Sequence, residues 1–486
     1  MPFDDIRNSR IEKLNRLRAT GVDPYPATCA RTHSIAEALV QFEALSSDAH
    51  EIVLAGRIMA HRTHGGISFI DLDDGSGAIQ GLVGNDRLGD EPYQFFLSVV
   101  DVGDIIEITG ALTTTKRGER SIDAKKWRIL TKSIRPLPEK WHGLQDVEER
   151  YRRRYLDLLF NPNVKKVFET RTKIVQSMRN FMNTNGFVEV TTPTLQPLYG
   201  GASARPFKTH LHALDVDLFL RIAPELYLKR LLVGGFTDIY EFTTNFRNEG
   251  MDRDHNPEFS AMEFYAAYKD INWAMDYTEK LFTHILTTVF DGLAVSYQGN
   301  DINFKPPFHR ERFADILKEH TNIDYEHADD DAIRAKATEL GIVIKKTVTK
   351  AGLADELFKK VIRPKLIQPM FVTDYPAELL PLAKRMESRD FVQAFQFFAG
   401  GLELIKAFGE LNDPQDQQER MQSQENQRAK GDEEAQRLDE DFIEALECGM
   451  PPAAGWGIGI DRFVTLLTDS RSIRDVILFP LMRPNK

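Results

Sequence analysis

At 486 residues the chain is too long for one ordinary core, and two or three domains are expected. Hydrophobic residues make up 42% and charged residues 28%, as in soluble globular proteins, and no apolar run approaches the ~20 residues of a membrane span. A net charge of −11 excludes nucleic-acid binding through the global field, so an RNA partner has to meet a local basic surface. Two cysteines, Cys29 and Cys448, lie far apart; they argue against a disulfide framework or a zinc site and for a reducing, cytoplasmic compartment. The segment Met1-Pro2-Phe3-Asp4-Asp5 does not read as a signal peptide.

Residues 4–20 read as a helix, with Ile6, Ile11, Leu14 and Leu17 at helical spacing, arginine and lysine between them, and Gly21 and Pro24 ending it. A basic helix of this kind can ride on an RNA backbone or simply be solvated. From 51 to 134 the period changes to that of strands, at 52–60, 68–72, 78–83, 104–110 and 121–129, with a turn at Asp73-Asp74-Gly75-Ser76-Gly77 and a short helix at 93–99. Five strands with a helix before the fourth is the order of an OB-fold barrel, which commonly binds oligonucleotides. Within it Arg62 can hold a phosphate, Phe69 can stack on an unpaired base and Gln80 can read a base edge. Phe69 can equally be a barrel-core aromatic.

Residues 135–160 form a connector broken by Pro136 and Pro138, followed by a predicted helix at 148–159 that carries Arg150, Arg152, Arg153 and Arg154. These arginines suit either a passing RNA backbone or internal pairing with Glu148, Glu149 and Asp157. Residues 161–486 alternate helices and strands. A long amphipathic helix at 165–183 feeds a strand at 187–193, which Pro193 must end. The run Gly200-Gly201-Ala202-Ser203 leaves backbone free to approach a ligand. Glu225 follows Pro224 at a helix start, where a carboxylate complements the helix dipole.

The most informative stretch is 238–268, two strands joined by a charged loop. Its second strand alternates, with Met262, Phe264 and Ala266 on one face and Phe259, Ala261, Glu263 and Tyr265 on the other. A carboxylate beside a phenol suits a cationic ligand, whereas Arg247 suits an anion held by its planar fork. Residues 306–366 read as a helical insertion, with Asp329-Asp330-Asp331 at a helix start. Near the end, Gly455, Gly457 and Gly459 recur at strand period two, stripping one face so that a flat ring can lie on backbone; Asp461 can cap the following helix, and Arg462 can meet a phosphate.

Phe246-Arg247-Asn248-Glu249-Gly250, with His255-Asn256-Pro257-Glu258-Phe259 and Met262-Glu263, resembles motif 2 of the class II aminoacyl-tRNA synthetases in the lysyl form. The helix and strand ending at Pro193 resemble motif 1, and Gly455 to Arg462 resembles motif 3. The resemblance runs from Arg10 to the C-terminus. It implies an α+β chain: an N-terminal helical extension (1–50), a five-stranded OB-fold anticodon-binding domain (51–134), the connector, and a catalytic domain built on an antiparallel sheet flanked by helices (161–486). It implies a cytoplasmic homodimer that joins L-lysine to tRNA(Lys) with ATP and Mg2+, without a membrane. Arg247, Glu249, His255, Asn256, Phe259, Glu403 and Arg462 are implied for ATP, and Arg247, Glu403 and Arg462 for catalysis. Gly201, Glu225, Arg247, Glu263, Tyr265, Phe408 and Glu410 are implied for lysine, and Arg62, Phe69 and Gln80 for the anticodon. Glu403 is the implied metal ligand. Two positions depart from the pattern: Gln396 stands where a second metal-ligand carboxylate is usual, and Lys406 where an asparagine lines the lysine pocket. Aspartyl and asparaginyl synthetases share the architecture, and a catalytically silent tRNA-binding paralogue is the alternative outside enzymes. The pair Glu263 and Glu410 speaks against the first, and intact Arg247, Glu403 and Arg462 against the second.

Overall fold

A computed structural model describes residues 3–47, 50–138, 144, 146–343, 349–388, 390–429 and 435–484. Parts of the expected connector (139–143 and 145) and of the helical insertion (344–348) lie outside the described residues. The chain divides into two units, Met1–Gln145 and Asp146–Lys486. Among the described residues no helix is long and apolar enough to cross a membrane.

The first unit is a closed barrel of Ile52–His64, Ile67–Asp73, Ala78–Gly84, Arg120–Thr131 and Ile105–Thr114, in that order round the wall. Period two decides which side chains fill it. Ile70 and Leu72 are fully buried in the barrel core together with Leu54, Ile106 and Ile108, whereas Phe69 and Asp71 alternate outward. Phe69 is therefore not a core aromatic. The helix Phe3–Ala19 inserts Leu17 into the same core. Its inward cations are already engaged: Arg10 donates to the carbonyls of Val102, Ser133 and Arg135, and Lys13 pairs with Asp101 at 2.6 Å. Arg7, Arg16 and Arg18 stay exposed.

An eight-stranded sheet organises the second unit. Its order is His309–Arg312, Met370–Pro376, Phe391–Ala399, Leu402–Gly409, Ala453–Gly459, Glu258–Ala267, Asp238–Phe246 and Val188–Glu189, antiparallel except for the outermost pair at each end. One face is apolar. Met262, Phe264, Trp456, Ile458, Ile405, Phe395 and Phe397 pack there against Ile174, Met178 and Met182 of the helix Pro162–Thr184 and Leu281, Phe282 and Ile285 of Ile271–Val289. Each large apolar side chain buried this way contributes about 1.5–3 kcal/mol. With that face sealed by helices, the opposite face is left for chemistry. The described part of the insertion forms a second core, where Phe313, Leu317, Ile333, Leu357 and Phe358 meet Val372 and Phe398 of the sheet. Asp329 caps the helix Asp330–Glu339 by accepting from the Ala332 N–H at 2.8 Å.

Two expectations change here. The helix at 148–159 is two helices, Val147–Arg152 and Arg154–Phe160, hinged at Arg153. Its arginines do not form an open basic surface: Arg150 and Arg154 share Asp157, Arg152 pairs with Glu148 and Arg153 with Glu149. Arg154 is almost wholly buried and also donates to the carbonyls of Arg474, Ile477 and Leu478. The internal-pairing reading of this segment holds. The strand expected at 187–193 is only Val188–Glu189, because the chain leaves the sheet well before Pro193.

Candidate active site

On the open face of the sheet lies a cavity of about 310 Å³, in the size range of small-molecule sites. It gathers residues drawn from separate parts of the chain: Gly201 and Glu225; Arg247, Glu249, His255, Asn256, Phe259, Glu263 and Tyr265 of the hairpin and its loop; Glu403, Lys406, Phe408 and Glu410; and Arg462. Gln396 does not line it, although it faces Lys406 directly across the neighbouring strand.

One end is acidic and deep. Glu225, at the start of the helix Glu225–Val233, accepts from Lys229 Nζ at 2.7 Å. That ammonium also lies 2.6 Å from Glu410 Oε2, a buried ion pair, while Glu410 Oε1 has no donor among the described residues. Lys229 is fully buried, yet the two carboxylates hold its pKa above the usual lysine value. Burial pushes Glu410 up to about 8, against the pull of Lys229. Glu263 lies beside it, likewise raised to about 8 by burial and by the charge of Glu225, with Arg247 opposing. The Tyr265 hydroxyl donates to Glu263 Oε2 at 3.4 Å, and burial drives its own pKa upward. Two carboxylates, Glu225 and Glu410, thus share one buried ammonium, Lys229, and Glu263 beside them has no ion pair among the described residues. An additional ammonium here would gain acceptors and ionise the acids.

The glycines beneath this end have a second role that the sequence did not show. A Cβ on Gly455 would stand 2.6 Å from the Tyr265 ring and 2.7 Å from Glu410 Oε1, and one on Gly457 would meet Glu263 Cγ at 3.1 Å. These two make room for the acidic side chains, and both also line the cavity. Only at Gly459 does a Cβ meet nothing within 4 Å. Gly455→Ala is accordingly expected to displace Tyr265 and Glu410 and raise the apparent KM for a cationic substrate at least about tenfold; Gly459→Ala should leave that KM within about twofold. Steady-state kinetics on both variants checks this. At Gly201, φ of +84° and a would-be Cβ 2.9 Å from Glu225 Cβ both require glycine, and its N–H donates to Gln436 Oε1 at 3.1 Å.

The other end is cationic. Arg247 stands over Phe259, 5.0 Å from the ring centroid, with its guanidinium directed at the Ile222 carbonyl at 3.5 Å. Burial lowers its pKa, and Glu249 and Glu263 counter that. Arg462 Nη2 meets His255 Nε2 at 3.1 Å, and Nη1 donates to the Glu403 carbonyl at 3.3 Å. His255 Nδ1 lies 2.9 Å from both oxygens of Asp252, which fixes the proton on Nδ1 and leaves Nε2 to accept from Arg462. Asn256 donates to the Glu258 carbonyl at 2.6 Å, while its buried Oδ1 lacks a donor among the described residues.

Asp461 is not the cap of its helix. Gly459 holds that position, and the Asp461 carboxylate accepts instead from the Ser260 N–H at 2.9 Å and from Arg171 at 2.6 Å. This clamp ties the start of Ile460–Leu467 to the hairpin and so fixes where Arg462 emerges. Lys229, Asp252, Arg171 and Gln436 are supporting residues that sequence reading missed. For Lys229 the i, i+4 spacing from Glu225 was the available signal.

In the barrel unit, Arg62, Phe69, Asp71 and Gln80 come together on the outer face of three adjacent strands: Arg62 is opposite Phe69, and Asp71 opposite Gln80. Arg62 is exposed and pairs with Asp71 at 2.9 Å. Phe69 is half-buried, and Gln80 Oε1 accepts from Ser121 Oγ at 3.2 Å.

The family described as tRNA synthetases class II (D, K and N) matches residues 146–483, and the OB-fold nucleic acid binding domain matches 52–130. The lysine–tRNA ligase of Carboxydothermus hydrogenoformans is 50% identical over 484 residues, spanning 99% of each chain. That of Chloroflexus aurantiacus is 47% identical over 486 residues, again 99% of each. The Pelotomaculum thermopropionicum enzyme is 48% identical over 488 residues, covering 100% of this chain and 96% of its own. With a barrel, a hairpin-centred antiparallel sheet and relatives of this identity along its whole length, the chain belongs to the lysine–tRNA ligase family of class II tRNA synthetases.

Proposed function

We propose that the chain activates L-lysine with ATP and transfers it to the 3′ end of tRNA(Lys). The observation that carries the amino-acid assignment is the buried Glu410, whose Oε1 has no donor among the described residues, set beside Glu263 and Tyr265 at the closed end of the cavity. Aspartate or asparagine would bring a carboxylate or amide oxygen to that end, where acceptors already outnumber donors.

In the first step a lysine carboxylate oxygen attacks the α-phosphorus of ATP; the bond from that phosphorus to the bridging oxygen breaks, leaving lysyl-adenylate and pyrophosphate. Two anions approach each other and no proton needs to move, so catalysis rests on positioning and preorganised charge. Arg247, between the acidic and cationic ends, holds the carboxylate and the α-phosphate. Arg462, oriented by His255 and the Glu403 carbonyl, takes the far phosphates. Glu225 and Gly201 receive the α-ammonium, Glu410, Glu263 and Tyr265 the ε-ammonium with Phe408 against the side chain, and Phe259 and Asn256, with Glu249 nearby, the adenosine. In the second step the terminal ribose hydroxyl of tRNA attacks the lysyl carbonyl and AMP leaves.

The donor set suits magnesium sparingly. Among the described residues Glu403 is a lining carboxylate without an ion pair, and no group of three or more His, Cys, Asp or Glu is arranged to hold a metal. One carboxylate plus substrate phosphates is an ordinary magnesium site. When bound there, the ion neutralises phosphate charge.

Amino-acid-dependent pyrophosphate–ATP exchange, run across the standard amino acids, tests the assignment: lysine alone is expected to support exchange, and exchange with aspartate or asparagine would overturn it. Phe69→Ala is expected to reduce tRNA charging by about tenfold or more, the worth of one base–aromatic stack of about 1–3 kcal/mol, with lysine-dependent exchange unchanged. Loss of both would give Phe69 a structural role instead. A homodimer is supported by the short edge strand Val188–Glu189 and by exposed Val188, Leu195, Leu214, Val216 and Phe236 in the same unit. Sedimentation should give twice the mass of 55.5 kDa.

A further inference from the structure

Across the sheet runs a row of residues in direct register: Glu263 faces Gly457, Gly457 faces Lys406, and Lys406 faces Gln396. Cross-strand partners share a face, and while Glu263 belongs to the acidic end, Lys406 lies along its strand between Glu403, at the phosphate end, and Glu410, at the acidic end. Lys406 is exposed, lines the cavity and forms no ion pair among the described residues. The charges acting most strongly on Glu263 come from Glu225, Arg247, Glu241 and Glu410, so Lys406 is not spent on its nearest acid in the row. On its other side it faces Gln396 in strand register, whose neutral amide neither carries the charge to pair with an ammonium nor matches a carboxylate as a magnesium ligand.

An unpaired ammonium in a pocket for a dicationic amino acid would be a liability if nothing anionic came to it. The reaction brings two such groups to this row: the lysine carboxylate and the α-phosphate. We propose that Lys406 is a resident cation that stands in for a second metal ion where carboxylate and α-phosphate meet, so that the chain works with a single magnesium ion, the one held by Glu403 and the ATP phosphates. This rests on the ligase reading above. An ammonium on a flexible stem supplies point charge to a phosphate without needing a ligand cage. With Gln396 across from it, the strand pair lacks the carboxylate that a second ion would need. Had position 396 carried an acid, it would have faced Lys406 and neutralised the ammonium. The pairing of an amide with a lysine at these two facing positions is therefore a matched set.

The test counts metal ions as well as activity. Mn2+ is titrated into the full-length protein with lysine and a non-hydrolysable ATP analogue, and free Mn2+ is followed by its paramagnetic resonance signal. One Mn2+ per active site is expected. Two or more would overturn the proposal. In parallel, Lys406→Asn should lower kcat of lysine-dependent exchange at least about thirtyfold, with Lys406→Arg retaining most of it, and excess Mg2+ should not rescue the asparagine variant. Adding Gln396→Glu to Lys406→Asn should raise the Mn2+ count to two and restore exchange with a steep dependence on free Mg2+. A kcat for Lys406→Asn within about twofold of wild type would overturn the proposal while leaving the ligase reading intact. Absence of lysine-dependent exchange in the wild-type protein would instead sink that reading.

Discussion

Lys229→Met is expected to destabilise the second unit by about 3–5 kcal/mol at pH 9.5, the cost of stripping the partner from buried charge. Lys229 has no exposed surface, and its ammonium is shared between Glu225 at 2.7 Å and Glu410 at 2.6 Å. Methionine keeps most of the volume, so the loss is electrostatic. The pH dependence separates this from a packing defect. Glu410 already has a folded-state pKa of about 8, well above the value of about 4.3 for an unfolded glutamate. A carboxyl raised in the folded state lends stability at low pH and withdraws it as pH climbs through the folded value. Removing the ammonium raises that value further, and the two folded proteins then differ in protonation only above about pH 8, so the penalty should be smaller at pH 6 than at pH 9.5. Urea unfolding at both values measures it. An equal loss at the two would mean that packing, not charge, is what Lys229 supplies.

The same cluster marks what a linear reading can and cannot reach. Glu263 and Tyr265 were legible because strand period two put a carboxylate and a phenol on the face opposite Met262, Phe264 and Ala266, a contradiction of simple burial that asks for a ligand. The barrel was legible from turn chemistry and strand spacing, and the outward position of Phe69 follows from the same alternation once Ile70 and Leu72 are known to fill the core. The glycines were half legible. Their spacing announced a stripped face, but which neighbour occupies the freed space depends on cross-strand register, and Gly455 faces Tyr265 while Gly457 faces Glu263. Asp461 sat where a cap belongs, yet its carboxylate reaches Ser260 and Arg171, distant in sequence. Arginines 150 to 154 looked available because charge density is visible in a sequence and pairing is not; acids three to seven residues away, some in the preceding turn, take up all four. Lys229 was hidden for the converse reason. A lysine four residues after a glutamate is ordinary on an exposed helix face, and only the fold places it under the sheet against Glu410.

Glu410→Gln is expected to raise the apparent KM for lysine about a hundredfold and to leave that for ATP within about threefold. Removing one partner of a buried, charge-assisted pair costs about 2–5 kcal/mol, and the amide offers the ε-ammonium only one neutral acceptor. The protein should still fold, because glutamine keeps the shape and Lys229 keeps Glu225. Equal effects on both substrates would remove Glu410 from the amino-acid pocket. The wild-type pH profile supplies the second half of the test. Glu410 and Glu263 both stand near 8 in the ligand-free protein, so at pH 6 they are largely protonated, and lysine must displace protons to bind as a cation. Apparent KM for lysine should therefore fall as pH rises from 6 to 8, by about tenfold per unit for each proton released. Over the same window the ligand-free protein should lose thermal stability, since both raised carboxyls withdraw their contribution as they ionise, and lysine should restore it; the lysine-induced shift in Tm should thus grow with pH. In Glu410→Gln only Glu263 remains to titrate, and the slope should drop by about one proton. A wild-type KM for lysine that is flat between pH 6 and 8 would mean that the acids are already ionised before the substrate arrives, and that the deep end of the cavity does not recognise lysine through the charge it lacks.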